Sequence, residues 1–281
     1  MKQFSEVISS VVFPVFLLVV LASNPALAEE SKDKLQRVET LMKISGTNHL
    51  IAGTSNGIRG FFTRLKHPRL RKGFESTTNA VAVFDAKNMQ RRLAADLSKR
   101  LGEREIEAAI SFYRSDLGRQ VVELERRSRS PESGATGGKS IAEIRREMEA
   151  DTERAQLING LVKDLRLADI SRSIRKSSVY AFTPGLFASG ESKKTLSKAE
   201  LRTLAHKRAA PFLRASERNI PFVAFHTYRS VSTDGLRKYR AFLTSPAGRR
   251  YYKRYMRSFE DLLAEETEDF TSLIMEAFAK T

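Results

Sequence analysis

Apolar residues recur at steps of three and four along almost the whole chain, and no stretch sustains the alternation of apolar and polar positions that a half-buried strand needs. The pattern predicts an all-α protein. After Arg37, the positions Leu41 and Ile44, then Leu50, Ile51 and Ile58, form helical faces interrupted near Gly46. Ser140 followed by Glu143 is a capping box, predicted to open a helix through Ala168. Ser197 followed by Glu200 predicts a second such start, toward Arg208. Near the end, Phe259, Leu262, Leu263, Phe270, Leu273, Ile274 and Phe278 stripe one side of a last helix, which marks that side as core.

One segment occurs twice. FYRSDLGRQVV, residues 112–122, returns as FLTSPAGRRYY, residues 242–252, with identities at Phe112 and Phe242, Ser115 and Ser245, Gly118 and Gly248, and Arg119 and Arg249. The motif reads as a corner between two helices. The first helix ends at the serine, whose hydroxyl caps the next helix. Pro246 suits the first helical position, Asp116 favours the same place electrostatically, and the glycine lets another helix backbone come close. Together with a weaker echo of Arg37, Leu41 and Ile44 in Arg154, Ile158 and Leu161, this predicts an internal duplication. The stretch RRSRSPESGATGGKS, residues 126–140, has linker composition. The expected organisation is therefore a two-lobed helical bundle: residues 1–28 apart, a first helical half over 29–130, linker and helix start over 131–149, and a second helical half over 150–281.

The first 28 residues differ from the rest. Lys2, an apolar run from Val11 to Ala22, and the small-residue pattern Ala26, Leu27, Ala28 form a secretory signal, with cleavage expected after Ala28 and an uncleaved anchor as the alternative. The run is shorter than the roughly 20 residues that cross a bilayer, and Pro14 and Pro25 oppose a spanning helix. A periplasmic location is the expectation. The chain has no cysteine, so neither disulfides nor thiol chemistry enter. Its 49 Lys plus Arg against 33 Asp plus Glu give a net charge of +16. The 21 basic and 13 acidic residues of 29–130, and the 27 and 19 of 131–281, leave each half at +8. A field of that sign draws polyanions, which outside the cytoplasm means anionic lipid, lipopolysaccharide phosphate or acidic polymer, with nucleic acid not expected.

The signal segment, the helical pattern and the corner at Phe112–Arg119, repeated with Ser245, Pro246 and Gly248, resemble the secreted bacterial family known as domain of unknown function 2059. The resemblance implies a periplasmic helical bundle of a Gram-negative bacterium and brings no activity with it. Asp116 departs from the proline usual at that corner position.

Several motifs suggest chemistry and then fail on spacing. SGATGGKS, residues 133–140, has Ser133 where a phosphate-binding loop requires glycine, and no strand precedes it. Gly53, Gly57 and Gly60 lack dinucleotide-binding spacing and are read as close helix contacts or a helix break. None of His49, His67, His206 and His226 has a second histidine or a carboxylate three or four residues away, as a helical metal site would use. The cluster Glu265, Glu266, Glu268 and Asp269 lacks a calcium loop's pattern and reads as a solvated face. No catalytic residue, cofactor or metal ligand is assigned.

The most suggestive segment is Arg237 to Arg257, which carries eight cations and no acidic residue, interleaved with Tyr239, Tyr251, Tyr252 and Tyr255. On a helix from Pro246, the residues Arg249, Lys253 and Arg257 share one side, while Tyr252, Met256, Phe259 and Leu263 face the core. Arg249, Arg250, Lys253, Arg254 and Arg257 are the candidate residues for anionic-surface binding, with the tyrosine rings expected at an interface or on sugar. The stretch from Phe259 onward, net −6, either folds back to neutralise this ridge or leaves it free. The expected function is a non-catalytic envelope or adaptor protein that contacts an anionic envelope component, a membrane surface or a partner protein. An accessory hydrolase of cell-wall or lipid chemistry and a chaperone-like binder of exported polypeptides are the alternatives.

Overall fold

The computed structural model describes residues 25–63, 83–129, 136–188 and 197–279, and all regular structure among them is helical. The signal segment up to residue 24, and His67, lie outside the described residues. No helix among those described is long and apolar enough to cross a membrane.

The helices are α1 (Pro25–Ile44), α2 (Thr47–Thr63), α3 (Ala86–Arg100), α4 (Glu103–Arg114), α5 (Asp116–Ser128), α6 (Ile141–Ala150), α7 (Thr152–Asp164), α8 (Leu167–Ala188), α9 (Lys198–Thr227), α10 (Thr233–Thr244) and α11 (Pro246–Ala279). The break at Gly46 is as the sequence predicts, since that residue turns at φ +76° between α1 and α2. The helix expected from Ser140 to Ala168 is instead three helices. Asp151 stops α6 and caps α7 by accepting a hydrogen bond from the Arg154 amide, and Arg166, at φ 52°, turns the chain into α8. An aspartate inside a helical pattern competes for backbone amides, and here it wins. Both capping boxes form as expected. The helix from Ser197 runs past Arg208 to Thr227, through Pro211 and Pro221.

Helix α1 packs on α3 and α4, and α2 on α3; α7 packs on α9 and α10, and α8 on α9. Helix α11, 34 residues and so about 51 Å long, touches α3 and α4 from the first half and α8 and α10 from the second. A single hydrophobic cluster runs from Val38 to Phe270 through both halves, so the two share one core. Phe259, Leu262, Leu263 and Phe270 of the terminal stripe are buried in it.

The two corners have the same local geometry. Ser115 Oγ accepts from the Gly118 amide at 3.0 Å and donates to the Phe112 carbonyl at 2.6 Å, while Ser245 Oγ accepts from the Gly248 amide at 3.0 Å and donates to the Phe242 carbonyl at 2.7 Å. The corners also meet, because Phe112 and Phe242 stack with ring centroids 4.2 Å apart and planes 5° off parallel. A side chain at Gly248 would drive its Cβ into the Phe242 carbonyl. Alanine ordinarily stabilises a helix relative to glycine by about 1 kcal/mol. Gly248→Ala is expected to do the reverse, destabilising by about 2 kcal/mol in chemical unfolding because backbone must move; a stabilised variant would show that the corner does not need the glycine.

Candidate functional site

Helix α11 begins with Pro246 after the Ser245 cap, so its first position has no N–H to satisfy and its register is fixed from the first turn. That register buries Tyr252, Met256, Phe259 and Leu263, and it leaves Arg249, Lys253 and Arg257 exposed on the opposite side, about 6 Å apart. The five candidate cations fall into two groups. Arg250 Nε donates to Glu105 Oε1 at 2.6 Å and Arg254 Nη1 to Glu105 Oε2 at 2.9 Å. Burial pushes the Glu105 carboxyl up, but hydrogen bonds from Arg250 and the Gly102 amide and the charges of Arg254 and Arg250 outweigh it and hold the group below its ordinary range. Arg250 and Arg254 therefore tie α11 to α4. By contrast, the side chains of Arg249 and Lys253 make no hydrogen bond or ion pair with the described residues, and that of Arg257 reaches only Asp261, at 4.0 Å.

Glu105 escapes the sequence reading because its partners lie 145 and 149 residues away. The available signal is its place three residues after Gly102 and beside buried Ile106, where a carboxylate needs a partner.

The same corner 130 residues earlier carries no such ridge. The positions of α5 that correspond to Arg249, Lys253 and Arg257 hold Arg119, Glu123 and Arg127. Arg119 pairs with Asp116, and Glu123 accepts from Arg126 at 2.8 Å and from Arg127 at 2.7 Å. Where the first corner has Asp116 and Glu123 to pair its arginines, the second has Pro246 and Lys253.

Two expectations need correction. Tyr252 is buried as its core-facing position predicts, but Tyr239, Tyr251 and Tyr255 are not at an interface either, for they are between 1% and 6% exposed. They belong to a polar interior centred on Glu125, which accepts from Tyr228 at 2.7 Å, Tyr239 at 3.3 Å and Arg129 at 3.3 Å, while Tyr113 and Tyr252 join hydroxyl to hydroxyl. Burial raises every one of these phenols, Tyr255 to about 12, so they stay neutral donors. The space beside them, about 50 Å³, has room only for water. In the acidic cluster, Glu265 and Asp269 are exposed as a solvated face requires, but Glu266 is not, being 1% exposed.

Nor do the acidic residues fold back on the ridge. They continue α11 in line and are taken by other helices: Arg92 of α3 binds Glu265 at 2.6 Å and Glu266 at 2.5 Å, Arg100 binds Asp261 at 2.9 Å, and Arg202 of α9 binds Glu268. The back of α11 is thus neutralised by arginines and its front is left cationic.

Of the histidines, His49 and His206 are exposed, and His226 is buried, with Nε2 beside the Arg229 guanidinium at 3.0 Å. Burial first, then Arg229 and Lys139, hold its pKa below the ordinary value. Among the described residues no three His, Asp or Glu side chains are grouped to hold a metal ion. Residues 136–138 of the supposed phosphate loop form a turn, after which Ser140 caps α6.

The molecule is an all-α bundle with a cationic ridge on its longest helix. Residues 87–144, from α3 to the start of α6, match the model of a family described as an uncharacterized protein conserved in bacteria (DUF2059). The matched segment contains the first corner, Phe112 to Arg119, on which the resemblance rests. No curated protein and no solved structure matches the chain.

Proposed function

We propose that this is an exported, periplasmic, non-catalytic protein that binds an anionic surface of the cell envelope through the ridge Arg249, Lys253 and Arg257. The observation that carries the reading is the contrast along α11: Glu105 holds Arg250 and Arg254, while the three cations at steps of four face solvent with no carboxylate of the described residues closer than 4.0 Å. Lys and Arg near an anionic membrane each contribute about 1 kcal/mol, and the alignment of three lets them act on one surface together. Export rests on Lys2, the apolar run and Ala26, Leu27 and Ala28. The corners, with α4 and α10 both 12 residues long, support reading the halves as copies of one unit, of which the second acquired the ridge.

Co-sedimentation of residues 29–281 with vesicles of anionic and of neutral lipid tests the reading. Binding to anionic vesicles at low salt, with release near 1 M salt where the screening length falls to about 3 Å, is expected. Equal binding to neutral vesicles, or binding indifferent to salt, counts against it. Binding only to an acidic protein would transfer the ridge to a protein partner.

A further inference from the structure

Helix α2 carries Gly53 and Gly57 one turn apart. Neither turns at positive φ, and a Cβ added at either would meet no atom within 4 Å. The helix is unbroken across them, so the close contact or helix break expected from the sequence is not what they provide. Each such glycine costs an exposed helix about 1 kcal/mol. What they border is a cleft of about 510 Å³ between α2, the end of α5 and α8, a size within the roughly 300–1,000 Å³ of small-molecule sites.

The cleft is built with two ends. Leu50 and Arg129 line it and also line the small interior space together with Ile170, so they mark its inner end. Gly57 and Ile58 lie two turns farther along α2, and Ile174 and Ser178 one and two turns farther along α8. From Leu50 to Ile58 the trough is about 12 Å long. Its apolar wall is Leu50, Ile58 and Ile174. Its charge comes from Arg126 and Arg129, about half exposed at 48% and 42%. Arg126 holds Glu123 through two N–H groups and shares it with Arg127, and Glu125 meets Arg129 through one N–H at 3.3 Å, so among the described residues three guanidiniums stand against two carboxylates there.

We propose that this cleft binds a single-chain amphiphile with one anionic head group, a phosphate or a carboxylate, held by Arg126 and Arg129 with its hydrocarbon chain lying along Leu50, Ile58 and Ile174 over the two glycines. This goes beyond the ridge on α11 and stands or falls separately from it.

Isothermal titration of residues 29–281 with decyl phosphate and with decanoate, both below micelle-forming concentration, is the test. One molecule per chain is expected, with the tighter of the two naming the head group. Inorganic phosphate and decyl maltoside, which lack the tail or the charge, should bind at least tenfold more weakly. Gly57→Leu, which fills the trough and replaces glycine by a better helix former, should unfold no more easily than the parent and lose at least tenfold in affinity. Arg249→Glu should bind decyl phosphate as the parent does. Equal affinity for decyl maltoside, undiminished binding by Gly57→Leu, loss of binding in Arg249→Glu, or no binding of any probe, as when another part of the chain fills the trough, each overturns the proposal.

Discussion

Replacing Arg249, Lys253 and Arg257 together by glutamate is expected to lower affinity for anionic vesicles by more than a hundredfold while leaving the unfolding transition nearly unchanged. Removing three cations at about 1 kcal/mol each gives about 3 kcal/mol, a little over two decades, and the three new carboxylates add repulsion. The fold should tolerate the change because these side chains point away from the core and, among the described residues, only Arg257 approaches a carboxylate, Asp261 at 4.0 Å. Surface pairs at that range are worth little. The matched control is Arg250→Gln with Arg254→Gln. Those two hold Glu105 and face both solvent and α4, so their loss should destabilise the protein and affect vesicle binding far less. A triple variant that still binds, or a control that loses binding as completely, would move the site off the ridge.

The helical class, the break at Gly46, the two capping boxes and the apolar stripe of α11 were legible because each is a local matter of periodicity or capping. The registry of α11 was legible too, since Pro246 sets its start and the apolar spacing sets its buried side. What sequence could not give were the partners. Nothing local distinguishes Arg250 and Arg254 from Arg249 and Lys253; the difference is made by Glu105 on α4, far away in the chain. Tyr239, Tyr251 and Tyr255 lie inside for a related reason. A Tyr among cations suits an interface as well as a core, and the interior reading depends on Glu125, a carboxylate of α5 whose role shows only when α5, the end of α9 and α10 meet around it. The helix expected to Ala168 failed on Asp151 and Arg166, where local capping and a left-handed turn overrode a periodicity that continues across both.

Glu266 supplies a pH dependence of its own. It sits 1% exposed on α11, its Oε1 accepts from Arg92 at 2.5 Å, and its Oε2 has no hydrogen-bond partner among the described residues. Burial raises its pKa, and although Arg92 works in the opposite direction, Asp269 and Glu265 add to the rise, leaving the group at about 7 against 4.5. The native protein therefore binds a proton that the unfolded chain has already released between those values, so stability is fully present below about pH 4.5 and is lost as pH rises through 7. Such a shift corresponds to about 3 kcal/mol. Glu266→Gln keeps the shape and an acceptor for Arg92 without the charge. In urea unfolding the variant should match the parent near pH 4.5 and exceed it by about 3 kcal/mol at pH 8, with an unchanged denaturant slope. A variant weaker than the parent at pH 8 would mean that the ionised carboxylate and Arg92 form a net stabilising pair, and that α3 is fastened to α11 by charge instead of being strained by it.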